Sequence, residues 1–200
     1  PGTPAAQESR GLGDVYKRQT FCCLCMSVPI VHLVPLLTDK GFTNESASSV
    51  LMVLMFSGIF GRILGGKLGD MYGALPGYMM MSFGQTISVF WFPFLDSIFA
   101  LYALAIFFGF TYSGVMSAIL VCARTMVPPS YAARMMSITA FFGWGGMGMG
   151  GFAGGYLFDL RGNYFWSFYF ATMVGITNLI ILGLFALRIR KARVPGAVSS

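Results

Sequence analysis

The chain has 200 residues, of which 56% are apolar and 10% charged, with a net charge of +6 and a mean hydropathy of +0.72. A soluble domain carries about 25% charged residues. The composition therefore argues against a soluble enzyme, a disordered chain or a nucleic-acid-binding module, and for an integral membrane protein. At about 20 residues per spanning helix, the length accommodates about six or seven spans.

Residues 1–19 are polar, contain Gly and Pro, and end abruptly at Thr20. They have neither a starting Met nor the apolar core of a signal peptide. The run Asp14-Val-Tyr-Lys-Arg-Gln19 resembles the translation of a transposase adapter used in shotgun sequencing. This leader is expected to be non-native, with an ordinary cytoplasmic linker as the alternative.

Six apolar segments follow, at 20–37, 46–66, 77–95, 98–123, 135–157 and 165–187. Each is near the length a helix needs to cross about 30 Å of hydrocarbon. The connections carry turn chemistry: Thr38-Asp-Lys-Gly-Phe42, Asp70-Met-Tyr-Gly73 before Pro76, Pro128-Pro-Ser130 and Arg161-Gly-Asn163. None has room for a soluble catalytic domain, and 188–200 reads as a cytoplasmic tail.

Basic residues set the orientation. An alternating path puts Arg62, Lys67, Arg124, Arg134, Arg188, Arg190, Lys191 and Arg193 near one side, and only Lys40 and Arg161 near the other. The C-terminus is thus expected in the cytoplasm. Trp91 and Trp166 fall near the outer ends of their spans, as interfacial tryptophans do.

Glycines recur at helical spacing. Gly146, Gly150 and Gly154 repeat every four residues in the fifth span, with Gly151 and Gly155 as a second row, and Gly61 and Gly65 repeat the spacing in the second. Small residues at i, i+4 let helix backbones approach closely in lipid. These rows are expected to be packing seams, some of which also bend or slide.

Ionisable groups inside the bilayer are functional candidates by default. Arg62 lies eight residues before Asp70, roughly 12 Å along a helix. Gly58, Gly65 and Gly66 are its i−4, i+3 and i+4 neighbours, and the expectation is an open, small-residue face around the guanidinium. An arginine in a cavity binds a carboxylate through two parallel hydrogen bonds. Snorkelling or a structural ion pair is the alternative.

His32, the one histidine, lies in the first span between Pro29 and Pro35. It is either a cavity residue titrating near neutral pH or a structural residue bonding a neighbouring helix. Gln85, Thr111, Tyr112, Ser113, Ser117 and Asn178 are further cavity candidates, with interhelical hydrogen bonding as the plainer reading of each. The four cysteines, Cys22, Cys23, Cys25 and Cys122, lie in apolar runs and read as small hydrophobes rather than metal ligands.

Enzyme signatures are missing. There is no His-Glu-x-x-His, Gly-x-Ser-x-Gly or Walker lysine loop. After residue 19 the carboxylates are Asp39, Glu45, Asp70, Asp96 and Asp159, all at loops or span ends. No catalytic residue, cofactor or metal is expected.

Three stretches resemble a known family. Gly66-Lys-Leu-Gly-Asp70-Met-Tyr-Gly73 resembles the G-x-x-x-D-x-x-G loop of the major facilitator superfamily, in its second-half copy. Gly155-Tyr-Leu-Phe-Asp159-Leu-Arg-Gly162-Asn-Tyr164 resembles the end of the eleventh helix in the branch of monocarboxylate carriers and oxalate–formate-type antiporters. His32-Leu-Val-Pro35-Leu-Leu-Thr-Asp39-Lys-Gly41 resembles the end of the seventh helix in bacterial members of that branch.

The resemblance covers about 20–193. It implies six transmembrane helices forming one half of a twelve-helix carrier, with the N-terminal half missing and the seventh helix shortened at its cytoplasmic end. Arg62 stands where carboxylate-carrying relatives have the eighth-helix arginine that binds the anion. Gly66, Asp70 and Gly73 would form the cytoplasmic gate. The sequence departs from the family after Gly73, where the usual basic residues are missing. It departs again at Gly58, where animal monocarboxylate carriers have an acidic residue.

The expected function is secondary transport of a small organic anion, monocarboxylate-like, by alternating access, with a coupled proton or an exchanged anion. The substrate-binding candidates are Arg62, His32, Tyr112, Gln85 and Asn178. The setting is a lipid bilayer, most simply a prokaryotic inner membrane, and no nucleic acid is involved. The alternatives are an exporter of hydrophobic or cationic compounds, and a non-transporting membrane sensor or assembly subunit.

Overall fold

The computed structural model describes the backbone of residues 4–125 and 129–192 and the side chains of 19–122 and 129–187. The Pro128 turn, the side chains of Arg124, Arg188, Arg190 and Lys191, and all of Arg193 lie outside the described residues. The chain forms α1 (Pro4–Asp39), α2 (Asn44–Tyr72), α3 (Ala74–Trp91), α4 (Ile98–Thr125), α5 (Pro129–Arg161) and α6 (Phe165–Ala192). A 3-10 turn, Phe92–Phe94, follows α3 at Pro93, and no strand occurs among the described residues.

The helix ends follow local chemistry. Beyond Asp39, Gly41 takes φ +89° and donates its N–H to the Thr38 carbonyl at 2.9 Å, closing α1 with a left-handed residue. Thr43 then caps α2, its hydroxyl accepting from the Ser46 N–H at 3.3 Å, with Glu45 in the first turn where the dipole favours an acid. Gly73 (φ +94°) turns α2 straight into α3, and Gly162 (φ +68°) ends α5.

Several elements run beyond the apolar segments read from sequence. The Gly66–Tyr72 stretch is helical, so the loop motif is the last two turns of α2 and the turn itself is Gly73 alone. Gly66 and Gly69 have the same backbone freedom but stay helical, and the chain leaves the helix at Gly73. At the other end of the chain, α1 continues without a break across the boundary at residue 19. Gln19 is buried, with its amide nitrogen 3.0 Å from Cys23 Sγ.

Four helices are long and apolar enough to cross a membrane: Gln19–Asp39 of α1, Asn44–Tyr72, Ile98–Cys122 of α4 and Phe165–Leu187 of α6. The other two fall short through composition, for different reasons. In α3 the polar residues Tyr78, Ser82, Gln85, Thr86 and Ser88 all point into the bundle. In α5 the eight glycines lower the mean hydropathy, although a helical glycine has its backbone groups already bonded.

The two most extensive pairings are α2 with α4 and α1 with α5, and both run backbone to backbone. On α2, a Cβ added at Gly61 would collide with the Phe110 carbonyl, and one at Gly65 would lie 2.5 Å from Gly114 Cα. The fit is reciprocal, because a Cβ at Gly109 would collide with the Leu54 carbonyl. On α5, Gly146, Gly150 and Gly154 lie against Thr20, Leu24 and His32 of α1.

α3 packs on α4 and α6, and Gly77 meets the Gly69 backbone where α2 and α3 cross. Phe92 closes the core beneath Phe108 and Phe168, at ring separations of 5.7 and 6.1 Å. Beside it, Lys40 Nζ donates to the Leu95 carbonyl at 2.8 Å and pairs with Asp96 at 3.0 Å, tying the end of α1 to the α3–α4 link.

The seams make a contrast testable. Gly61→Val or Gly150→Val drives a branched side chain into a partner backbone and is expected to cost about 3 kcal/mol or more. Gly66, with nothing within 4 Å of an added Cβ, is expected to accept Ala at no cost, since Ala favours helix by about 1 kcal/mol over Gly. Denaturation of the detergent-solubilised variants reads both.

Candidate functional site

The glycine seams decide which way the polar side chains of α2 point. Gly58, Gly61, Gly65 and Gly69 are buried. Gly58 lies against Ser113 and Gly65 against Gly114, so both belong to the α4 interface and not to an open face around Arg62. The i−4 and i+3 positions lie about 40° and 60° to one side of residue i on a helix of 3.6 residues per turn, and here that side is the one α4 covers. Only Gly66 leaves open space beside Arg62.

Arg62 itself is exposed and forms no hydrogen bond or ion pair with the described residues. Its wall is apolar. Ile59 is exposed one turn before it, and Met55, also exposed, lies two turns before it on the same face. Tyr112 of α4 reaches that face. Its hydroxyl donates to Met55 Sδ at 3.6 Å, and its ring stacks on Phe108 at 5.6 Å. A thioether is a weak acceptor, so the phenol is held in place while keeping its capacity for a stronger partner.

The other candidates lie elsewhere. His32 is buried in the α1–α5 seam at 8% exposure, edged by Gly154 and Gly155. Its Nε2 is 2.8 Å from the Gly151 carbonyl. A carbonyl only accepts, so Nε2 carries the proton and donates. Tyr164 packs 5.5 Å from the imidazole and stacks on Phe158 at 4.2 Å. Burial, with the carboxylates of Asp39 and Asp159 nearby, pushes the Tyr164 phenol above its usual range.

Gln85 and Asn178 are each 1% exposed, between α1, α3 and α6. Gln85 Nε2 donates to the Cys22 carbonyl at 3.3 Å, and Asn178 Nδ2 donates to Ser82 Oγ at 2.9 Å. Both bonds are interhelical. Thr111 differs, because its hydroxyl returns to the Phe107 and Phe108 carbonyls of its own helix. Ser27, Ser57 and Thr86 do likewise, a common resort for hydroxyls inside helices.

The structure thus brings Arg62 and Tyr112 onto one face and separates them from His32, Gln85 and Asn178. Of the loop motif, Asp70 is exposed, with no ion pair among the described residues, and Gly73 makes the turn. Sequence reasoning missed Met55, the partner that fixes Tyr112. It also missed Gly109 and Gly114, which receive α2. Their five-residue separation hides them from a search at i, i+4. Among the described residues no group of His, Cys, Asp and Glu has the arrangement of a metal site.

Over residues 19–199 the sequence matches the Major Facilitator Superfamily. It is also similar to Monocarboxylate transporter 13 of Rattus norvegicus, at 32% identity over 154 residues. That match covers 70% of this chain and 33% of the relative, so the chain spans about a third of the length of the curated protein it matches. With its apolar helices, the chain is an integral membrane protein. It belongs to the major facilitator superfamily of transporters and resembles the monocarboxylate branch of that superfamily.

Proposed function

We propose that the protein carries a small organic anion with one carboxylate, as the C-terminal six-helix half of a twelve-helix alternating-access carrier. The observation that carries this reading is Arg62. It is a cation about 12 Å from the Asp70 end of its helix, exposed on an apolar wall, with no ion pair among the described residues. A guanidinium in such surroundings offers two parallel donors to a carboxylate, and a low local dielectric strengthens the pair. Tyr112 supplies a second polar contact on the same face. The similarity to a protein named for monocarboxylate transport supports the substrate class.

In this reading the six helices all span, and the face bearing Arg62 meets the central cavity between the two halves. His32, Gln85 and Asn178 hold helices together and leave the anion to Arg62 and Tyr112. A coupled proton or an exchanged anion drives the cycle, and Asp70 with Gly73 belongs to the cytoplasmic gate. The ends bearing Lys40 and Arg161 face outwards, the C-terminus is cytoplasmic, and the membrane is a prokaryotic inner membrane. Arg161 lies 4.7 Å over the Trp166 ring, an anchor suited to an interface.

Arg62→Lys keeps the charge but loses the bidentate fork. In vesicles containing the complete twelve-helix protein, it is expected to lower carboxylate uptake at least tenfold, about 1.4 kcal/mol. Unchanged uptake removes Arg62 from the site. Competition between lactate, oxalate and a lipophilic cation separates an anion carrier from an exporter of cationic compounds.

Tyr112→Phe removes one hydrogen bond and is expected to raise KM severalfold, in line with about 1 kcal/mol. Gln85→Leu is expected to lower thermal stability while leaving KM within twofold. A KM rise for Gln85→Leu as large as that for Tyr112→Phe would place the substrate in the wrong part of the bundle.

A further inference from the structure

The end of the bundle where α5 passes into α6 carries aromatic side chains that the transport reading does not use. Phe90, Pro93, Phe94, Phe165, Tyr169 and Thr172 line an open-sided cleft with about 180 Å3 of empty space, between α6 and the end of α3 with its 3-10 turn. Ring contacts hold its walls. Phe94 lies 5.1 Å from Phe90 and 5.7 Å from Phe165, and Phe165 stacks on Tyr169 at 6.3 Å. All four rings are nevertheless at least 38% exposed. Rings fixed before a ligand arrives lose little freedom when it binds. The Thr172 hydroxyl already donates to the Phe168 carbonyl at 2.8 Å, so the floor is apolar in effect.

A cation stands at the mouth of the cleft. Arg161, exposed in the last turn of α5, lies 4.7 Å over the Trp166 ring. Trp166 in turn contacts Phe165 at 5.9 Å and Tyr169 at 6.1 Å, so guanidinium, indole and cleft form one continuous surface. Arg161 has no ion pair among the described residues, whereas Lys40 at the same end is held by Asp96. Asp39 and Asp159 lie near Tyr164. The first turn of α6, the positive end of its dipole, begins at Phe165.

The surface has a direction. Arg161 precedes α6, and Thr172 lies seven residues beyond Phe165, about 10 Å deeper along the helix. A matching ligand has an anionic group at the helix ends and an apolar chain running inwards. A dissolved anion lacks the chain, and a peptide would bring backbone polar groups to a wall with little to satisfy them. We propose that this surface is a binding site for an anionic phospholipid, with its phosphate on the Arg161 guanidinium and one acyl chain in the cleft. The guanidinium fork matches a phosphate through two parallel donors, and Trp166 holds the fork at the level of the headgroups.

Photo-cross-linking tests this on the full chain in phosphatidylcholine nanodiscs. Phosphatidylglycerol and phosphatidylcholine probes carry the same diazirine-labelled acyl chain, and cross-links are mapped to segments 90–94 and 165–172. Choline offsets the phosphate charge, so the phosphatidylglycerol probe is expected to exceed the other at least threefold, on the scale of an exposed ion pair. Arg161→Gln, a substitution of an exposed side chain, is expected to abolish that preference. Arg134→Gln, exposed at the opposite end of α5, is expected to leave it unchanged. Equal yields from the two probes make the cleft ordinary lipid-facing surface and overturn the proposal, as does a preference that survives Arg161→Gln. No cross-link at either segment, as when a second copy of the chain covers the cleft, overturns it too.

Discussion

Backbone-to-backbone contact along the α2–α4 and α1–α5 seams fixes the rotation of these helices, and with it the direction of the polar side chains beside the seams. Lipid gives packed helices no hydrophobic reason to associate, so close approach through small residues supplies much of the attraction. In α2 the contact runs through Gly58, Gly61 and Gly65 onto Gly109, Phe110 and Gly114. With that face committed, Arg62 has to project beside the seam rather than into it. In α5 the row Gly143, Gly146, Gly150 and Gly154 faces α1, and the Gly151 carbonyl is thereby brought to His32. One arginine is left outside and one histidine is drawn inside by the same device.

The interior follows a second rule, that a polar atom away from water needs a partner. Ser57, Thr86 and Thr111 meet it locally, by bonding carbonyls three or four residues back on their own helices. The amides of Gln85 and Asn178 instead bond across helices. The polar character of α3 is therefore internal, and the helix presents Met80 and Phe83 outwards. A hydropathy average cannot tell an inward-facing glutamine from a lipid-facing one, which is why α3 ranks as less apolar than its neighbours.

Much was legible in the sequence because it was carried by composition and local spacing. The all-helical membrane class came from the charge deficit and the apolar runs, and the superfamily from three short motifs in order. Helix ends were less legible. Leu68 and Met71 are apolar enough to continue α2, and only the backbone of Gly73 stops it. The surroundings of Arg62 were misread because i−4 and i+3 neighbours share a side of the helix, and sequence does not say which side a partner covers. Met55 carried no signal at all, since a methionine in an apolar run looks the same whether it faces lipid or a tyrosine hydroxyl.

The central claim is that the α2–α4 face bearing Arg62, and not the α1–α3–α6 core, receives the transported carboxylate. Substrate protection of single introduced cysteines in the transport-competent protein tests it most directly, because Cys22, Cys23, Cys25 and Cys122 are buried. Met55→Cys is predicted to react with a polar thiol reagent and to be protected by a saturating monocarboxylate, while Asn178→Cys is predicted to show no substrate-dependent change. Protection at position 178 with none at position 55 would contradict the account.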